Sequence, residues 1–111
     1  MPKHRDDIVL NDIVNAAQLI AVFIEGFEKT TFVEDWKTHS AVLYQLTVIG
    51  EAVKRLSAEF RASHPQLPWV LMAGMRDHLV HGYDLVDWDE AWKTAIIDIP
   101  NLLEKIKQFP Q

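Results

Sequence analysis

From Trp88 to the end of the chain, apolar side chains fall at Trp88, Trp92, Ala95, Ile99, Leu102, Ile106 and Phe109. Steps of four and three return to one face of a helix with 3.6 residues per turn, whereas a strand alternates and cannot use them. The same stepping runs through Val42, Leu46, Ile49, Val53 and Leu56, with Phe60 after them, and through Val9, Ile13, Ala16, Ile20 and Phe23. Leu10, Val14, Ala17 and Ile24 widen the last of these faces, which suits a buried helix or one shared with a second subunit. Three stretches of one period commit the chain to an all-α fold. At 111 residues it is one domain, residues 1–111, large enough for a core, and the expected architecture is an up-down bundle of four to five helices.

Local signals place the boundaries. Asp6 or Asp7 can cap a first helix that runs to about Glu25 and stops at Gly26. Thr31, with Glu34 three residues on, forms a capping-box pattern for a short helix that breaks near Thr38 to Ser40. A long helix then reaches about Ser57. Ser63 to Pro68 holds two prolines and reads as a turn, and Asp87 with Glu90 caps the last helix. Pro100 lacks a backbone donor and is expected to kink that helix near Ile96 to Ile99. The four tryptophans read as core or interface aromatics, and His39 and His64, in polar company, as solvated.

The chemistry gathers between Trp69 and Tyr83. Pro68 suits a first helical turn and Gly82 a left-handed position just past the end, so this stretch reads as a helix of about 13 residues with its polar cluster in the last turn. Leu71, Met72, Met75 and Leu79 make an apolar stripe with His78 at its edge; Val70, Gly74, Asp77 and His81 make another. Gly74 would let a neighbour approach the backbone beside Asp77 and His81. Asp77 and His81, at i, i+4, could pair so that the carboxylate orients the imidazole. Arg76 and His81 lie roughly 140° apart on an ideal helix. They share no face unless the last turn opens or a second chain completes the site. Glu51 reads either as a surface partner of Arg55 at i, i+4 or as a support for Arg76 from the neighbouring helix.

Charge and composition exclude several classes. The net charge of −5 argues against broad nonspecific nucleic-acid binding, which needs a basic surface, but allows one local basic pocket. Without cysteine there is no disulfide or thiolate metal site. His78 and His81 are three apart, not the usual i, i+4 helical metal pair, so no metal and no cofactor is expected. The N-terminus has no apolar core after its basic start, and the longest apolar run, Leu19 to Ile24, is far short of the ~20 residues of a bilayer span. A cytoplasmic protein without a membrane partner is the expectation.

Arg76, four residues, His81, one residue, Tyr83 resembles the signature of the HepT family, small helical toxins of the HEPN superfamily paired with minimal nucleotidyltransferase antitoxins. Ile49-Gly50-Glu51-Ala52, Lys54-Arg55-Leu56-Ser57, Trp69 seven residues before the arginine, and Asp87 to Trp92 also resemble it, so the likeness covers nearly the whole chain. Asp77 stands where such proteins often carry Asn. The resemblance implies a HEPN-like bundle, a twofold homodimer with a composite cleft, and a toxin that cleaves RNA without metal through Arg76 and His81. It also implies a separate nucleotidyltransferase antitoxin that attaches AMP to Tyr83. Chemically, Arg76 can hold a phosphate bidentately and His81 can act as general base or acid. The other class is a non-catalytic helical binding or scaffold subunit of a nucleotidyltransferase complex, which the net acidity favours.

Overall fold

The structure, a computed structural model, describes residues 2–82 and 84–109, with side chains described from Arg5 onward. It is about two helix diameters deep, 43 × 29 × 20 Å. The first helix, α1, spans Pro2–Phe23. It begins before the expected cap, and Asp6 has another task. Its buried carboxylate accepts the Ser57 backbone N–H at 2.8 Å and the Ser57 hydroxyl at 2.6 Å, tying α1 to a segment 51 residues away. Gly26 ends the helix as expected, with φ +82.

The short helix α2, Lys29–Glu34, starts after Glu28, whose N–H donates to Thr31 Oγ1 at 2.9 Å. Thr31 therefore stands inside the helix rather than at its cap. The break comes at Asp35, earlier than the sequence suggests, because Asp35 is extended and its carboxylate accepts the Thr38 N–H at 2.9 Å. That cap starts α3, Trp36–Arg55. Ser57 caps α4, Ala58–Ser63, by accepting the Phe60 N–H at 3.0 Å.

After the proline turn come α5, Trp69–Ala73, and α6, Met75–Leu79, then the strands β1, Val80–Gly82, and β2, Leu85–Val86. The last helical run is α7, Trp88–Lys93, a π-helical turn over Thr94–Asp98, and α8, Ile99–Lys107. Asp87 caps it as expected, accepting the Glu90 N–H at 3.0 Å. Pro100 cannot donate to the Ile96 carbonyl and its ring would crowd that group; the wider π turn ends just before it and occupies the place where a kink is expected. With α2 joined to α3, α5 to α6 and α7 to α8, alongside α1 and α4, five helical bodies stand among the described residues. The fold is all-α and compatible with a HEPN-like bundle, apart from the small antiparallel hairpin, which helical periodicity did not suggest.

The core follows the three stripes. Ile13, Ile20, Val42, Leu46, Ile49, Val53 and Leu79 are fully buried, and Ala91, Ala95 and Ile99 close the far side. Two histidines depart from expectation. His39 is buried, its ring stacked on Trp88 at 3.7 Å with Nδ1–H donating to the Val33 carbonyl at 3.0 Å. His64 lies against Phe60 and Phe109 and bonds the Phe60 carbonyl. Both are flat rings that fill aromatic seams and use the nearest backbone carbonyl. Trp69 is buried and Trp88 and Trp92 half-buried, but Trp36 is exposed.

The Asp6–Ser57 tie is the longest-range side-chain hydrogen bond among the described residues. Asp6→Ala leaves the Ser57 N–H and hydroxyl unpaired and is expected to cost about 2 kcal/mol in urea unfolding at fixed protein concentration. Asp6→Asn, which keeps one acceptor, should lose less.

Candidate active site

The motif segment is not one straight helix. Gly74 takes φ −94 and ψ 12, and the axis bends there although helical hydrogen bonds cross the bend: Gly74 N–H to Val70 at 3.1 Å and His78 N–H to Gly74 at 3.0 Å. The buried stripe differs from the expected one at Leu71 and Trp69. Met72 and Leu79 are buried, Met75 half-buried, and Leu71 is 75% exposed, while Trp69 turns inward with its indole N–H on the Arg61 and His64 carbonyls.

The close approach expected at Gly74 occurs at Gly50. A methyl group on Gly50 would stand 3.2 Å from the Met72 carbonyl oxygen and 3.4 Å from that of Ala73; one on Gly74 would meet only the Val70 oxygen, at 3.6 Å. The end of α5 thus lies directly on the backbone of α3, and Arg76, one turn on, is carried over the next residues of α3.

There Arg76 borders a hollow of about 380 Å³ with Thr47, Glu51 and Lys54 of α3, and with Ala73 and Asp77. Arg76 and Lys54 are both more than half exposed, and each is held by a carboxylate: Arg76 Nη1 to Asp77 Oδ1 at 3.4 Å, and Lys54 Nζ to Glu51 Oε2 at 3.1 Å. Glu51 pairs with Lys54 rather than Arg55, which faces a different hollow on the α1 side. Thr47 was not singled out from the sequence, and Lys54 entered only with the segment that carries the family resemblance. The signal was present, since Thr47, Glu51 and Lys54 step by four and three along one face of α3.

His81 stands elsewhere. The helix ends at Leu79 because Val80 is already extended, φ −107 and ψ 112, and pairs across the hairpin with Val86. The Asp87 N–H closes the turn by donating to the Leu79 carbonyl at 2.9 Å. Gly82, opposite Leu85, is not left-handed; among the described residues positive φ belongs to Gly26 alone. Asp77 and His81 therefore do not form an i, i+4 helical pair. His81 is exposed on β1 and does not border the Arg76 hollow. His78, on the other side of α6, faces Glu90 at 3.8 Å beside an apolar groove with Leu71, Met75 and Leu102. Tyr83, the proposed AMP acceptor, lies outside the described residues. Among those residues, no three His, Asp or Glu side chains gather as a metal site would require, and no helix is long and apolar enough to cross a membrane.

Fold and hollow define a small helical-bundle protein with an exposed arginine beside a histidine-bearing hairpin. The family model described as Ribonuclease HepT-like matches residues 13–109, and the chain belongs to that family, within the HEPN superfamily. A Thermococcus cleftensis protein named "Probable ribonuclease HepT" is 42% identical over 96% of this chain and 94% of its own length. A Methanocaldococcus jannaschii protein named a "Putative RNase" is 37% identical over 98% of this chain and 90% of its own length. One from Caldanaerobacter subterraneus with the same description is 36% identical over 92% and 91%. No solved structure matches the chain.

Gly50 offers a test of how the site is positioned. Gly50→Val sets a branched side chain against two backbone carbonyls that have little room to retreat. It is expected to destabilise the fold by about 2 kcal/mol in denaturant titration, although glycine is itself a poor helix former.

Proposed function

We propose that this chain is an endoribonuclease that cuts RNA without a metal, with Arg76 and His81 as catalytic residues drawn into one cleft by two copies of the chain. The observation that carries this reading is the placement of the two side chains. Arg76 stands at the rim of an open hollow next to a second cation, Lys54, while His81 projects from a strand outside it. One copy holds a phosphate-binding half and a proton-transfer half that do not share a hollow. A twofold arrangement can set the histidine of each copy against the arginine of the other.

The chemistry needs those parts and no cofactor. The ribose 2′-hydroxyl attacks the adjacent phosphorus as a general base takes its proton; the O2′–P bond forms and the P–O5′ bond breaks. The departing O5′ takes a proton from a general acid, leaving a 2′,3′-cyclic phosphate and a 5′-hydroxyl. Base and acid work on opposite sides of phosphorus, so one imidazole serves both poorly and two copies supply two. Arg76 binds two non-bridging oxygens as their charge rises. Asp77 steers the guanidinium, and Glu51 holds Lys54 along the same strand of RNA.

In this reading the chain is the toxin of a toxin–antitoxin pair. A nucleotidyltransferase antitoxin, a separate chain, neutralises it by attaching AMP to Tyr83. An AMP phosphate taken up by Arg76 would occupy the guanidinium and exclude RNA. A second reading, a non-catalytic binding subunit of a nucleotidyltransferase complex, is favoured by one observation: both cations of the hollow already sit against carboxylates in a chain of net charge −5.

Purified chain, shown by intact mass to be unmodified, should cleave single-stranded RNA in EDTA and leave DNA of the same sequence intact. His81→Ala should lower the rate by at least about 100-fold, the usual contribution of a general acid or base, with the circular dichroism unchanged. Arg76→Lys keeps the charge but loses the fork, and should cost about tenfold or more. No cleavage by folded, unmodified dimer would move the assignment to the binding-subunit reading. Cleavage unaffected by either substitution would remove these residues from the chemistry.

A further inference from the structure

The open side of α3 carries a pattern that its buried side does not explain. Val42, Leu46, Ile49 and Val53 face the core. Opposite them, Trp36, Ser40, Tyr44, Thr47, Glu51 and Lys54 step by fours and threes and fall within about 80° of one another around the helix. Trp36 is 75% exposed and Tyr44 66%, and they are the large apolar side chains that α3 leaves open. From Trp36 to Lys54 the line runs about 27 Å at 1.5 Å per residue. Its far end, Thr47, Glu51 and Lys54, is the border of the Arg76 hollow, and Tyr44 stands one turn before Thr47.

The two rings do not make an apolar patch. The exposed Ser40 stands between them, and no open aliphatic side chain accompanies them on α3. A helix face that binds another protein normally offers a continuous apolar stripe; isolated flat rings beside cations are instead the equipment of single-strand binding, in which bases stack on the rings and phosphates meet the charges. The cations are present. Lys54 and Arg76 stand at the hollow, and Lys37, exposed and in no ion pair among the described residues, flanks Ser40. Trp36 is also propped in place. It meets His39 edge to face at 5.0 Å, and His39 is itself fixed by the Val33 carbonyl and by Trp88 stacked on its ring. A ring already held loses little freedom when a base settles on it. We propose that the outer face of α3 is a track for single-stranded RNA, with unpaired bases stacked on Tyr44 and Trp36 and the phosphates of the same strand led to Lys54 and Arg76. Tyr44 and Trp36 are then positioning residues that hold the strand beside the site, not members of the chemistry. The inference deepens the cleavage reading and rests on it for what happens at the hollow, but the binding it describes is measurable without cleavage.

The test is fluorescence anisotropy of a short, labelled, single-stranded 2′-O-methyl RNA with wild-type chain in EDTA, a probe that keeps its bases but lacks the attacking hydroxyl. Tyr44→Ala and Trp36→Ala should each raise the dissociation constant about tenfold, the usual loss of one stacked base, with the circular dichroism unchanged. Tyr44→Phe and Trp36→Phe, which keep a ring, should stay within a few-fold of wild type. An abasic strand of the same length should bind more weakly and should no longer distinguish the alanine variants from wild type, a result that general damage to the fold does not give. On cleavable RNA the alanine variants should raise KM and leave kcat nearly unchanged. RNA binding indifferent to both alanine substitutions would overturn the proposal and leave the face to a protein partner, and alanine effects of equal size on the abasic strand would overturn it as well. The two readings fail separately. A chain that binds RNA through these rings but does not cut it removes the cleavage reading alone; a chain that cuts RNA with both rings dispensable removes this track alone.

Discussion

The contact of α5 with the bare backbone of α3 at Gly50 sets where the arginine of the site stands. Helix axes separated by side chains lie 8–10 Å apart, and a residue without a side chain lets them close further. The Met72 and Ala73 carbonyls use that room, being 3.2 and 3.4 Å from where a methyl group would sit. Beyond that contact the chain bends at Gly74, and Arg76 emerges above Thr47, Glu51 and Lys54. The hydrophobic stripe of α3 anchors this arrangement from below, since Leu46, Ile49 and Val53 are fully buried.

The second determinant is the early end of α6. Two pairings, Val80 with Val86 and the Asp87 N–H with the Leu79 carbonyl, take over the backbone groups that another helical turn would have used. In a helix, His81 would have risen about 1.5 Å per residue beyond Asp77; on a strand each residue advances about 3.3 Å. The imidazole, on β1, does not border the hollow that Arg76 lines. It is on this placement that the proposed two-copy cleft rests.

Much of this was legible in the sequence because burial obeys the helical period. The core positions of α1, α3 and the last helix, the stop at Gly26 and the Asp87 cap all follow from local rules. What was not legible depended on partners distant in sequence. Asp6 looked like a cap, but Ser57 offers its carboxylate two donors from elsewhere. His39 looked solvated from its neighbours in sequence, yet Trp88 lies on its ring. The hairpin was hidden because Val80 fits a helix as well as a strand until Val86 is brought opposite. At the site, Glu51 was open between Arg55 and Arg76; it pairs with Lys54 and borders the Arg76 hollow, whereas the helical pairing of Asp77 with His81 does not form.

The electrostatics of the hollow are balanced, two cations against two carboxylates, all at the surface, where such pairs contribute little to stability. An anion would therefore displace a carboxylate at low cost, as the proposed binding of phosphate requires. The most direct test of the account uses an RNA with one 2′-deoxy substitution at a linkage the protein normally cuts. The account predicts that this linkage alone survives, while the others are cut in EDTA to give 2′,3′-cyclic phosphate ends. Cleavage at the deoxy position, or products ending in a 3′-hydroxyl and a 5′-phosphate, would contradict it.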